Sequence, residues 1–266
     1  MSRVVTSLTN PTVKLVRSLH ARKEREATGL VLAEGLKIVG EALESGLSPR
    51  ILMFSAEAAK HPVLRRAVEA TERARGDVLE VSPGVLEKVS RRDNPQTVVG
   101  VFEQRFTELE ALEPAKASCW VALEQVRDPG NLGTIVRTAD AAGCGGVILV
   151  GDCVDPFGVE AVRATMGSIF AVPVTRTTRE QFLTWRESWP GSVVGTHLRA
   201  THGHADAPYR APTLLLMGAE QAGLSDPLAA ACDLLVKIPM RGRADSLNLS
   251  VATGIMIYAS TASLEA

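Results

Sequence analysis

The short, wholly apolar runs "GVILV" (146–150) and "TLLLM" (213–217) constrain the fold most tightly. Runs this short, with no alternating polar residue, read as strands buried on both faces. Such strands need helices on either side, the arrangement of a parallel α/β sheet. With these two runs, six strands are expected, at 119–124, 147–150, 170–175, 192–196, 213–217 and 234–238. Helical patterns follow them at 132–142, 157–166, 178–188, 226–231 and 248–261.

The front of the chain repeats the alternation on a smaller scale. Residues 10–27 read as one helix: Asn10 can cap it, Pro11 suits the first helical position, and Val13, Val16 and Leu19 recur at helical spacing. The strands "LVLAE", "RILMF", "DVLEV" and "TVVGVFE" then alternate with helical stretches, one of them (62–74) opened by Pro62. The acidic, proline-containing "TELEALEPAKA" reads as a linker. The expected organisation is a smaller α/β domain over 1–106, a linker over 107–117 and a larger domain over 118–266.

Charge divides along the same line. Residues 1–107 hold 17 Lys+Arg and 13 Asp+Glu, and the remainder 12 and 17, so a net +4 faces a net −5. The early excess gathers at Arg3, Lys14, Arg17, Arg22, Lys23 and Arg25, and suits a nucleic-acid-facing front half as well as a solvated helix face. No apolar run approaches the ~20 residues of a membrane span. The start "MSRVVTSLTNPTVK" has no apolar signal core, which argues against export. Cys119, Cys144, Cys153 and Cys232 form no CxxC pair and read as reduced and mostly buried, as in a cytoplasmic protein.

Three loops after expected strands hold the candidate chemistry. In "DPGNLGTIVRTADAAG" (128–143), Asn131 fits a helix N-cap, Gly143 fits the stop, and Arg137 is a lone charge among small and apolar residues. Such an arginine either is solvated or needs a carboxylate, phosphate or substrate partner. In "LLLMGAEQAGLSDP" (214–227), Gly218 permits close approach of a ligand to the backbone, and Glu220 lies between glycines just past a buried strand. In "VKIPMRGRADSLNLSVATGIMIYAS" (236–260), Arg241, Gly242 and Arg243 form a loop before Ser246 or Asn248 caps a helix. Residues 246–263 carry no charge, so this helix is expected to be buried, in part by a subunit contact. A Rossmann-type dinucleotide reading rests on "GNLG" and on Asp152 about 20 residues further on, but GxGxxG is absent. His197, His202 and His204 lie in a polar loop, and no metal site is read there.

Together the three stretches "NLGTIVRTADAAG", "LLLMGAEQAGLS" and "IPMRGRADSLNLSVATGI" resemble the ordered motifs of the SpoU/TrmH family of RNA ribose 2′-O-methyltransferases, in the SPOUT superfamily. "SLTNPTVKLVRSL…LVLAEGLKIVGEAL" resembles the ribosomal-protein-like substrate-binding domain often fused ahead of it. The resemblance implies an S-adenosylmethionine-dependent enzyme, a C-terminal SPOUT-type parallel sheet with a trefoil knot, and a homodimer through that domain. By position it places Asn131, Arg137, Glu220, Ser246 and Asn248 among catalytic or site-ordering residues. It places Gly218, Ile238 and Leu247 at the cofactor, with Met240 lining the same pocket. The basic front half then grips RNA, with Lys14, Arg17, Arg22, Arg91 and Arg92 as candidates. Ribosomal RNA is the expected substrate from the two-domain layout. A transfer-RNA ribose methyltransferase and a non-catalytic RNA-binding protein are the alternatives.

Methyl transfer from a sulfonium to an oxygen is an in-line displacement that needs the hydroxyl aligned, partly deprotonated and shielded from water. Arginine, with a pKa above about 12, is a poor general base. Arg137 is therefore expected to position the hydroxyl and its adjacent phosphate and to lower the hydroxyl's pKa, with Glu220 orienting the guanidinium.

Overall fold

The computed structural model describes residues 4–198, 200–220 and 222–265. The chain forms two compact units. The first runs to Gln104 and also takes in Asp155–Ala171; the second holds Arg105–Val154 and the chain from Val172 onward.

In the first unit, helices α1 (Pro11–Ser18) and α2 (Arg22–Thr28) precede strand β1 (Leu30–Glu34) and helix α3 (Leu36–Glu44). There follow β2 (Ile51–Phe54), α4 (Pro62–Arg73), β3 (Asp77–Glu80), α5 (Pro83–Ser90) and β4 (Val98–Glu103). The sheet order is β1-β4-β2-β3, with β4 antiparallel to both neighbours and β2 parallel to β3. Val13, Val16 and Leu19 pack with Val85, Leu86 and Val89 against Leu32, Met53 and Val101. Gly100 is required at the centre of β4, because a Cβ there would come within 2.7 Å of the Phe102 ring.

The expected single helix over 10–27 is two. Asn10 caps α1 as read, through bonds from Thr12 and Val13 N–H at 2.9 and 3.3 Å. The backbone turns extended at Ala21. Arg25, counted at first with the surface charge, is buried and explains the break. Its guanidinium donates to the carbonyls of Leu19 and His20 at 2.8 and 2.9 Å, groups that a continuous helix would have used itself. Its other face meets Asp155 at 2.6 Å.

The second unit carries β5 (Cys119–Glu124), α6 (Pro129–Ala141) and β6 (Val147–Val150). The chain then contributes α7 (Val159–Thr165) to the first unit, held there by Arg163–Glu34 at 2.7 Å as well as by Asp155. It returns through β7 (Val174–Thr177), α8 (Arg179–Arg186), β8 (Val193–Thr196), β9 (His202–Gly203) and β10 (Thr213–Met217). It ends with α9 (Asp226–Ala230), β11 (Leu234–Lys237) and α10 (Leu249–Glu265). The seven strands are all parallel, in the order β7-β6-β5-β10-β8-β11-β9. The strand expected over 170–175 starts only at Val174, after a 3₁₀ turn at Ser168–Phe170. The two-residue β9 had no sequence signal. Leu109 and Leu112 of the linker stretch are buried with Trp120, Phe182 and Trp189 in this unit's core.

Helix α10 is not buried all round. Leu249, Thr253, Met256, Ile257 and Ser260 face inward, but Val251 and Tyr258 are 51% and 54% exposed. No helix among the described residues is long and apolar enough to cross a membrane. The four cysteines are free, and all but the half-buried Cys232 are buried.

Candidate active site

Strands β5 and β10 lie side by side and parallel although far apart in sequence. Crevices at such points, beyond the C-terminal strand ends, are where open parallel sheets bind ligands. The three motif loops all emerge there.

The first loop opens α6 earlier than expected. Asp128, not Asn131, is the N-cap: its carboxylate accepts the Asn131 N–H at 2.6 Å, and Pro129 takes the first helical position. Aspartate followed by proline out-competes an asparagine three residues on. Asn131 is thus buried in the first turn with its side chain free to bridge. Gly143 ends the helix with φ +66°, as read.

The second loop is a tight hairpin. Ala219 N–H bonds Gly223 O at 3.2 Å, and Gly223 N–H bonds Ala219 O at 2.9 Å. A Cβ on Gly218 would lie 2.0 Å from the Gly223 carbonyl carbon, so only glycine fits. Glu220, carried on this hairpin, accepts hydrogen bonds from Asn131 Nδ2 at 3.2 Å and from the Asp128 N–H at 3.4 Å. Burial pushes the Glu220 carboxyl up. Donors from its own backbone, from the Asn131 amide and from the Asp128 and Arg127 backbone outweigh that and hold it below the usual carboxylate range.

The third loop ends at Asn248, whose Nδ2 donates to Asn131 Oδ1 at 2.9 Å. Its Oδ1 accepts the Ser250 and Val251 N–H groups at 2.9 and 3.4 Å and so caps α10. Glu220, Asn131 and Asn248 therefore form one hydrogen-bonded chain across the loops that follow β10, β5 and β11. Ser246 stands outside it; its hydroxyl donates to Asp245 Oδ1 at 3.2 Å.

Beside this chain opens a cleft of about 500 Å³. Its lining includes Gly218, Ile238, Met240 and Leu247, together with Glu220 and Ser246. The sequence reading missed Thr196, His197 and Leu198 at the end of β8, Met217 at the end of β10 and Lys237 at the end of β11. Applied to β8 as well, the strand-end rule would have found Thr196, His197 and Leu198, while Met217 and Lys237 directly precede the Gly218 and Ile238 already singled out. Arg137 does not line the cleft. It is exposed on α6 and, among the described residues, has no hydrogen bond or ion pair. Solvation, not a protein partner, accommodates its charge. Among the described residues no group of three or more His, Cys, Asp or Glu side chains could hold a metal ion.

In the first unit, Lys14, Arg22, Arg91 and Arg92 are exposed and Arg17 is half-buried. Arg22 pairs with Glu26 at 2.7 Å. Helices α1 and α5 pack together, and Lys88 of α5 pairs with Glu87 at 2.7 Å. Burial holds the His20 imidazole below its ordinary value, and the Arg91 charge adds to this. Arg3 lies outside the described residues.

Residues 118–258 match the SpoU rRNA Methylase family, and residues 10–100 match the MRM3-like substrate binding domain. The family match covers more than half of the chain, and the chain belongs to the SpoU rRNA methylase family. It is an S-adenosylmethionine-dependent RNA 2′-O-methyltransferase. Its fold is similar to an AdoMet-bound rRNA methyltransferase from Sinorhizobium meliloti, with 47% identity, a TM-score of 0.91 and 98% of each chain covered. It is also similar to the SpoU methyltransferase AviRb from Streptomyces viridochromogenes in complex with AdoMet, with 28% identity, a TM-score of 0.84 and 97% and 99% of the two chains covered. The 23S rRNA (guanosine(2553)-2′-O)-methyltransferase RlmP of Bacillus subtilis is 30% identical over 96% of this chain and 97% of its own length.

Proposed function

We propose that this enzyme methylates a ribose 2′-hydroxyl of 23S ribosomal RNA. Residues 1–106 serve as the RNA-binding domain, 107–117 as the linker and 118–266 as the catalytic domain, although 107–117 pack within the second unit and 155–171 within the first. The observation that carries the site assignment is the Glu220–Asn131–Asn248 chain, which fixes the walls of a cleft at the strand ends. The cleft's lining by Gly218, Ile238, Met240 and Leu247 suits S-adenosylmethionine. The cofactor supplies an electrophilic methyl group on sulfur. The protein's own task is to bring the ribose hydroxyl into line and keep water out.

In this reading Arg137 contacts the acceptor, and Asn131, Glu220, Ser246 and Asn248 order the loops. Since Arg137 does not line the cleft of its own chain, a homodimer that brings the two together would complete the site. The exposed Val251 and Tyr258, in the stretch of α10 without charge, support such a dimer. The return of α10 to pack on α6 and β5 fits the trefoil knot expected of the family. Lys14, Arg17, Arg22, Arg91 and Arg92 are assigned to RNA phosphates, and the cytoplasm is the proposed compartment. Transfer of labelled methyl groups from S-adenosylmethionine to ribosomal RNA, with mapping of the product as a 2′-O-methyl nucleotide, tests the proposal. Labelling of transfer RNA alone would overturn the choice of substrate.

A further inference from the structure

The loop between β11 and α10 carries two arginines that the reaction as described leaves unused. Residues 241–248 are all exposed. Met240 on one side of Arg241, and Asp245, Ser246 and Leu247 beyond Arg243, line the cleft. Both guanidiniums are therefore tethered within two residues of the cleft wall. Gly242 between them has open space around it, with nothing within 4 Å of a Cβ placed there.

Three other arginines of this unit are engaged, Arg127 with Asp152 at 2.8 Å, Arg179 with Glu124 at 3.4 Å and Arg186 with Asp233 at 3.3 Å, whereas, among the described residues, Arg137 on α6 is not. Among the described residues, Arg241 and Arg243 make no hydrogen bond or ion pair. Two unneutralised charges at the mouth of a cleft stand out in a segment with a net charge of −5 over residues 108–266. A polyanion must approach this acidic unit to place one ribose at the cleft, and local positive charge is what offsets the repulsion. Arginine's planar fork suits phosphate oxygens.

We infer that Arg241 and Arg243 hold the phosphodiester backbone of the RNA acceptor strand next to the nucleotide being methylated. The inference rests on the proposed function and adds a second, catalytic-domain contact to the grip of the front domain. The other anion within reach is the carboxylate of the methyl donor, and the test separates the two.

The experiment compares the full-length protein with R241Q/R243Q and R241K/R243K. It measures KM and kcat for ribosomal RNA, S-adenosylmethionine affinity by calorimetry, and RNA affinity against salt. The inference predicts that R241Q/R243Q raises KM for RNA about tenfold or more and leaves donor affinity within twofold. It also predicts that the log-log salt slope shrinks by roughly 1.5, about 0.7–0.9 per lost phosphate contact. R241K/R243K should restore much of the salt slope. An unchanged RNA KM and salt slope in an active R241Q/R243Q protein would overturn the inference and leave the functional reading standing. A fall confined to donor affinity would reassign the arginines to the cofactor. Absence of methyl transfer to RNA by the unaltered protein would remove the functional reading itself, and this inference with it.

Discussion

Asn131 Oδ1 accepts a hydrogen bond from Asn248 Nδ2 at 2.9 Å, joining residues 117 positions apart in the chain. The same Asn131 side chain donates to Glu220 at 3.2 Å. One buried amide thus ties the motif loops together. Asn131→Ala removes both bonds and leaves two partners unmatched, each costing about 1–3 kcal/mol where buried and less at the exposed Glu220 and Asn248. Donor affinity and kcat should both fall, by at least about tenfold, as calorimetry and single-turnover kinetics would show. Wild-type donor affinity in a folded Asn131→Ala protein would contradict the bridging role.

The depressed carboxyl of Glu220 sets a pH expectation. A group whose folded value lies below its unfolded one, about 4.3 for glutamate, contributes fully above the unfolded value. That contribution is lost as pH falls through the lower folded value. Loop order from Glu220 should therefore be constant from pH 6 to 8 and decline only in acid. Donor binding measured across that range should be flat in both wild type and Glu220→Gln, with the mutant weaker throughout. A wild-type transition near pH 6 would assign the titration to another group.

Much of this was legible in the sequence, and the failures share a cause. Local signals held: Asn10 and Pro11 opened α1, Gly143 closed α6, and the apolar runs marked the parallel strands. Non-local partners were invisible. Arg25 looked like surface charge because Asp155 is 130 positions away. Asn131 looked like a cap because its actual partners, Glu220 and Asn248, lie on other loops. Residues 246–263, without charge, were expected to be buried in part by a subunit contact, and within one chain Val251 and Tyr258 are exposed.

Arg25 and Asp155 form a buried pair with side chains 5% and 8% exposed. Arg25→Met takes the guanidinium from the buried carboxylate and releases the Leu19 and His20 carbonyls, so a loss of about 3–5 kcal/mol is expected. Urea unfolding should show the destabilisation. A change under 1 kcal/mol would mean that the break between α1 and α2 is held by packing alone.

The open face of α10 predicts self-association. Tyr258→Asp, at a position 54% exposed in one chain, should leave the fold intact, because exposed positions tolerate charge within about 0.5 kcal/mol. It should nevertheless shift the protein from dimer to monomer in sedimentation velocity and remove most activity. A wild-type protein that sediments as a monomer at micromolar concentration would exclude the dimer.

The account turns on Arg137, an exposed arginine with no partner among the described residues. The direct test is methyl transfer to ribosomal RNA by Arg137→Ala, with S-adenosylmethionine affinity measured on the same preparation. Loss of a group that acts on the reacting hydroxyl should lower kcat at least ~100-fold while donor affinity and unfolding midpoint stay unchanged. Full turnover in Arg137→Ala would contradict the assignment of this residue to the acceptor ribose.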